Sequence, residues 1–188
     1  MSNTHWVVDV EVGAEQAQEY AETAKQWLLQ EGIVLPTPPE PTDVFPVDSR
    51  CYPKHLLAPG PRASDWCESD GVYSVFCGLE IVTGKRVFDP GGSCFSDLIE
   101  CPNCEARFDS SKLKWMAAID GWWARDDGSL ACPECKTTKD IGQWRFPDSS
   151  WAFGYLGFGF NEWYVDERIM KAISSVLQHR CVFVRSHI

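Results

Sequence analysis

Basic residues are scarce: 17 Lys and Arg stand against 27 Asp and Glu, leaving a formal net charge of −10. The deficit sits at the front, where residues 1–90 hold 14 acids and 6 bases, while residues 151–188 hold 3 acids and 4 bases. Such a balance opposes a phosphate backbone, whose binding needs Lys and Arg to displace counterions. It suits a basic protein partner, or solubility alone. Long apolar runs are also missing, since nothing approaches the roughly 20 residues that span a bilayer. The start, Met1-Ser-Asn-Thr-His-Trp6, lacks the basic stretch of a secretion signal, and Val7–Val12 alternates with acids instead of forming an apolar core. A cytoplasmic location is therefore expected. Motifs of known chemistry are absent as well: no HExxH, GxSxG, P-loop or GxGxxG occurs. The run Gly154-x-x-Gly157-x-Gly159 lacks the basic residue and helix start of a phosphate cradle. Asp126-Asp127 before Gly128 reads as turn chemistry. No catalytic residue is assigned, and a non-enzymatic protein is expected.

What is plentiful is cysteine and tryptophan, nine of each. An odd number of cysteines fits reduced thiols plus a metal better than a disulfide framework. Four of them form Cys101-Pro-Asn-Cys104 and Cys132-Pro-Glu-Cys135, two tight turns that each aim two thiolates at one point. Together they supply the four soft ligands that structural zinc prefers. A single such pair equally suggests a thioredoxin-like redox site, but neither pair lies on the strand-to-helix turn that this chemistry uses. Cys101, Cys104, Cys132 and Cys135 are thus expected to hold one structural zinc ion per chain, with no position open for water or substrate. Cys51-x-x-x-His55 has the spacing of half a second site, without a matching half. Cys67, Cys77, Cys94 and Cys181 read as buried thiols or bystanders.

The tandem Cys-Pro-x-Cys resembles the zinc-ribbon class over about residues 98–140, in which two cysteine knuckles at hairpin ends clamp one ion. The 27 residues between the knuckles exceed the roughly 15–20 of the common spacing, so something is folded there. Ser110 or Ser111 is expected to cap a short helix carrying Leu113, Met116 and Ala117 and ending at Gly121.

Outside the ribbon, Trp6, Val8, Val10 and Val12 alternate with Val7, Asp9 and Glu11, which predicts a half-buried strand with an acidic outer face. Ala17, Tyr20, Ala21, Ala24, Trp27 and Leu28 then recur at helical spacing, predicting a helix over 14–31 stopped by Gly32. Residues 36–61 carry eight of the twelve prolines and read as an extended crossing pinned by Phe45, Tyr52, Leu56 and Leu57. Val72–Cys77 and Leu79–Val82 are strand-like, and Thr83-Gly-Lys85 predicts a hairpin turn returning through Arg86–Phe88. Gln143–Phe146 and Trp151–Phe160 read as strands, the latter with Gly154, Gly157 and Gly159 admitting another ring, helix or ligand. Asp166 caps a helix with Ile169, Met170, Ile173, Val176 and Leu177 on one face, and Arg180–Arg185 closes as a strand.

The order predicts an α+β fold, a mostly antiparallel sheet with two helices, for which the split βαβ (ferredoxin-like) layout is a candidate. Residues 1–90 and 141–188 form the body and 91–140 the inserted zinc ribbon. The expected function is an acidic, zinc-stabilised protein-binding module that docks a basic protein, either inhibitor- or immunity-like or an adaptor. Glu15, Glu19, Glu22 and the Asp9–Glu11 strand face would steer that partner, and Trp122, Trp123 and Trp163 would anchor it. Two alternatives stand beside it. One is a nucleic-acid-binding ribbon using Arg107, Lys112, Lys114, Arg125, Lys136 and Lys139. The other is an enzyme with a site in the aromatic and glycine-rich stretch 151–163.

Overall fold

A computed structural model describes residues 3–36, 52–68, 77–91, 98–147 and 150–187. In chain order the elements are β1 (Asn3–Asp9), α1 (Ala17–Gln30), β2 (Val34–Leu35), β3 (Ala58–Pro59), β4 (Gly78–Phe88), β5 (Leu98–Glu100), β6 (Arg107–Asp109), α2 (Trp115–Arg125), β7 (Ser129–Ala131), β8 (Thr138–Asp140), β9 (Ala152–Asn161), α3 (Glu167–Leu177) and β10 (Cys181–His187). The fold is α+β. Its main sheet has the order β10-β1-β9-β4 and is antiparallel throughout. With α1 after the first of these strands and α3 after the third, this is the strand order of the split βαβ layout. The cysteine-rich segment is inserted between β4 and β9. Cys51, Phe45, Cys94 and the strand expected over Val72–Phe76 lie outside the described residues.

Both helices pack on one sheet face. Ala17, Ala21, Ala24 and Leu28 of α1, and Ile169, Ile173 and Leu177 of α3, are buried at spacings of three or four, which places each set on a single helix face. They meet Val7, Leu156, Phe158, Phe160 and Phe183 from the strands. Gly32, at φ 67°, ends α1 where the chain turns left-handed. Asp166 caps α3 by accepting the Arg168 N–H at 2.8 Å.

Several expectations are corrected. Thr83-Gly-Lys85 is no hairpin: both halves of β4 pair with the single strand β9, and the register shifts between Thr83 and Arg86. Gly84 supplies the positive φ that this bulge uses. β1 has no solvent face. It lies between two strands with residues on both sides buried, and Asp9 is 0% exposed. Its carboxylate accepts the N–H groups of Glu11 and Val12 and pairs with His179 Nδ1 at 2.8 Å. The strand expected over Gln143–Phe146 is reduced to an isolated bridge between Arg145 and Glu100, following a 3-10 turn over Ile141–Gln143. In the insert, Ser110–Lys112 is a 3-10 turn capped by Asp109, and the helix begins only at Trp115. Its buried face is Trp115, Ala118 and Ile119, leaving Met116 45% exposed. Gly121 lies inside α2 because the Asp127 carbonyl returns to 2.2 Å from where a Cβ would stand.

The glycines of β9 admit other parts of this same chain: Gly157 and Gly159 admit rings, and Gly154 admits the Asp9 carbonyl, 2.6 Å from where a Cβ would stand. A Cβ on Gly157 would stand 2.5 Å from the Phe88 ring, and one on Gly159 would stand 2.7 Å from Trp6. Trp6 and Phe88 pack against each other with centroids 5.0 Å apart, and the Arg86 guanidinium lies 4.7 Å from the Trp6 ring centroid. With Val8, Ala152 and Val184 they form the apolar layer on the face opposite the helices. Gly157→Ala is expected to displace the Phe88 ring and destabilise the protein by about 1–3 kcal/mol. A lowered urea midpoint at unchanged slope would show it, and an unchanged midpoint would show that the ring yields freely.

Candidate metal centre

The insert is built from one pattern used twice. β5 runs into Cys101–Cys104, β6 and an Asp109-capped 3-10 turn; β7 runs into Cys132–Cys135, β8 and an Asp140-capped 3-10 turn. The correspondence holds at a constant offset through each knuckle. Cys101 N–H donates to the Ala106 carbonyl at 2.9 Å and Cys132 N–H to Thr137 at 3.0 Å. Glu105 N–H donates to the Cys101 carbonyl, and Lys136 N–H to Cys132, both at 3.0 Å. Glu105 and Lys136 take φ of 59° and 62°, the left-handed conformation that folds each chain back behind its sulfurs. Helix α2 is what fills the long spacing between the halves.

Around this pair lies an apolar cluster of Ile99, Trp115, Ile119, Leu130, Ile141 and Trp144, which extends to Phe153 of β9. The cluster therefore joins the insert to the sheet. Glu100, 7% exposed, ties the halves together. Its backbone exchanges two hydrogen bonds with Arg145, and its carboxylate accepts from Arg145 Nη1 and Arg107 Nε, each at 2.8 Å. Those two guanidinium groups, Arg145 first, hold the Glu100 carboxyl below its ordinary range.

The four sulfurs of Cys101, Cys104, Cys132 and Cys135 lie within 4.8 Å of one another. Across the halves, Cys101 and Cys135 are 3.9 Å apart, and Cys104 and Cys132 are 3.7 Å apart. A tetrahedron with metal–sulfur bonds of about 2.3 Å has edges of about 3.8 Å, whereas a disulfide needs about 2.05 Å. Cys101, Cys104, Cys132 and Cys135 are thiols with no disulfide among them. Cys101 and Cys132 are buried, Cys135 is half-buried and Cys104 is exposed, so the centre sits at the rim of the apolar cluster.

Protonation shows the same crowding. Hydrogen bonds from the Thr137 side chain and backbone, with a smaller one from Asn103, bring the Cys135 thiol down to about 6. Cys104 receives a backbone hydrogen bond from Ala106 that favours its thiolate, yet loss of water and the three neighbouring sulfurs push it up to about 12. Four thiolates confined to this volume would repel one another, so the set calls for a cation. The set can hold a metal ion, and four protein sulfurs leave no open coordination position.

The remaining sequence candidates are dispersed. His55 is exposed, while its suggested partner Cys51 is outside the described residues. Burial pushes the thiols of Cys77 and Cys181 up to about 12, as suits inert core cysteines. Trp163 is 1% exposed and donates its indole N–H to Cys67 Sγ at 3.3 Å, so it cannot anchor a partner. Trp122 is half-buried against Phe153, with Lys85 over its ring and bonded to its carbonyl and to Asp126. Trp123 is open, at 55% exposure. The signal missed in the sequence was the repeat itself, visible as Cys-Pro-x-Cys followed by an aspartate at the same offset. No helix among the described residues is long and apolar enough to cross a membrane. No protein-family model, curated protein or solved structure gives a significant match to the chain.

Removing the metal by chelation, or making Cys132→Ser, is expected to strip amide-exchange protection from residues 98–146 and the start of β9, which shares the Phe153 contact. Helices α1 and α3 should keep theirs. Uniform loss along the chain would show instead that insert and sheet unfold as one unit.

Proposed function

We propose that this protein is a non-enzymatic, zinc-stabilised binding module that docks a basic protein partner, as an inhibitor, immunity-like protein or adaptor in the reducing cytoplasm. Four thiolates around one ion suit zinc, with an iron–sulfur centre as the competing chemistry. The ion's role is to hold the two half-ribbons and α2 in register.

The observation that carries the docking reading is the outer side of α1. Glu19 and Glu22 are exposed there, opposite the buried alanine stripe, and Glu15 is exposed in the turn that leads into the helix. Gln18 of that side meets Thr83 at 3.4 Å, and Lys85, two residues on, grips the end of α2 beside Trp123. An acidic helix and an exposed tryptophan thus flank the β4 bulge, the first suited to steering and the second to anchoring. Asp9 takes no part, since it is a buried structural carboxylate. With Gly157 and Gly159 filled by Phe88 and Trp6 and Gly154 by the Asp9 carbonyl, the stretch 151–163 loses the feature that suggested an enzyme site.

Nucleic-acid binding is a second reading, favoured by one groove. Lys112, Lys114 and Arg125 line a depression of about 450 Å³ beside the second knuckle, over Leu113 and Leu130. Arg107 is not available to it, being held by Glu100.

Elemental analysis is expected to give one zinc per chain, lost in Cys132→Ser; iron, or a disulfide in reduced protein, overturns that assignment. A salt-titrated pull-down from native lysate should return a basic protein. Reversing Glu15, Glu19 and Glu22 to Lys should slow its association at low salt without unfolding, the effect fading as the Debye length falls to about 10 Å at 0.1 M. Trp123→Ala should act on dissociation instead. Retention of DNA or RNA at physiological salt, lost when Lys112, Lys114 and Arg125 are neutralised, would favour the second reading.

A further inference from the structure

Where the insert meets the sheet there is a cleft of about 470 Å³, bounded by Pro102 of the first knuckle on one side and Val10 and Val182 on the other. The size is that of an ordinary small-molecule site, and junctions between structural units are where such sites collect. Its polar lining is made of Arg145, Arg180, Gln143 and Ser150, with no described carboxylate among the lining groups. Arg145 is partly engaged with Glu100. The Arg180 guanidinium is not: no described residue pairs with it, and the nearby Glu11 carboxylate accepts the Arg180 backbone N–H at 2.7 Å. In a chain of net charge −10, the cleft thus gathers Arg145, shared with Glu100 and Glu105, and an Arg180 guanidinium that no described carboxylate pairs.

The walls supply a second, independent observation. Trp144 and Trp151 both line the cleft, and their indole Nε1 atoms have no hydrogen-bond partner. Trp144 is 4% exposed. Buried donors in native proteins are nearly always paired, and each exception calls for a reason. The rings are held in place by neighbours: Trp151 lies edge-on to Trp115 with centroids 5.3 Å apart, and Phe146 packs on it at 6.0 Å. The cleft therefore joins a rigid aromatic wall to the side-chain donors of Arg180, Gln143 and Ser150.

We infer that this cleft binds a small oxyanion carried on a flat ring, an aryl carboxylate or the monophosphate of a heteroaromatic nucleoside. Arg180 makes the charge-assisted hydrogen bonds to the oxyanion, helped by Gln143 and Ser150. The ring lies against the half-buried Trp151, where stacking is indifferent to ring identity. The inference is independent of the partner proposed above, because it concerns neither α1 nor Trp123.

The test uses the full-length, metal-loaded protein and the indole N–H resonances of Trp144 and Trp151, assigned by Trp→Phe variants. Benzoate and adenosine monophosphate are the two ring-bearing probes, and the tighter of them identifies the oxyanion. At least one should give saturable shifts of both indole signals, with adenosine and inorganic phosphate binding at least about tenfold more weakly. Arg180→Gln should weaken the binding by at least about tenfold with the rest of the spectrum unchanged, and Ser150→Ala should weaken it less. The inference is overturned if neither probe shifts these signals up to about 10 mM, if the shifts ignore Arg180→Gln, or if only an oligonucleotide produces them.

Discussion

A four-stranded antiparallel sheet that is apolar on both sides has to be covered on both sides, and the described residues provide two helices for the body. Both lie on one face. The other face carries Trp6, Val8, Phe88 and Val184, and covering it is the condition that much of the remaining architecture meets. Gly157 and Gly159 let two large rings approach β9 closely, and Arg86 closes over Trp6. The insert leaves from the end of β4 and returns at the start of β9, two neighbouring strands, and its apolar cluster reaches Phe153. The unusual aromatic content thus serves packing first.

The cysteine centre solves a different problem. The half-ribbons are three-residue strand pairs, too short to be stable alone. Convergence of four sulfurs, the Glu100 bridge to Arg107 and Arg145, and the helix laid between the halves substitute for sheet area. A metal bound there becomes folding energy for the insert, because the unfolded chain offers no assembled site.

Local patterns were legible wherever the chain's neighbours in sequence decide the structure. The alanine stripe of α1, the Asp166 cap, the Ile169–Leu177 face and the paired Cys-Pro-x-Cys turns all fall in that group. The errors arose where a distant partner decides. Thr83-Gly-Lys85 has ordinary hairpin chemistry, but β9 pairs with the chain on both sides of it, so it becomes a bulge. Asp9 alternates like a solvent-facing residue, yet strands on both sides of β1 and a histidine 170 positions away enclose it. In α2 the apolar residues are so dense that periodicity could not choose a face, and burial went to Trp115 and Ile119 instead of Met116. The groups lining the junction cleft come from four separate stretches, and no single window of sequence contains them.

The constant offset between the two knuckles has a consequence for symmetry. Each half contributes two sulfurs, one left-handed residue and one capped turn, so the halves are related as the subunits of a dimer are related, with α2 as the covalent tether. A single half offers half a coordination shell and can complete it only with a second half. The ion therefore counts halves, and the tether fixes that count at two within one chain.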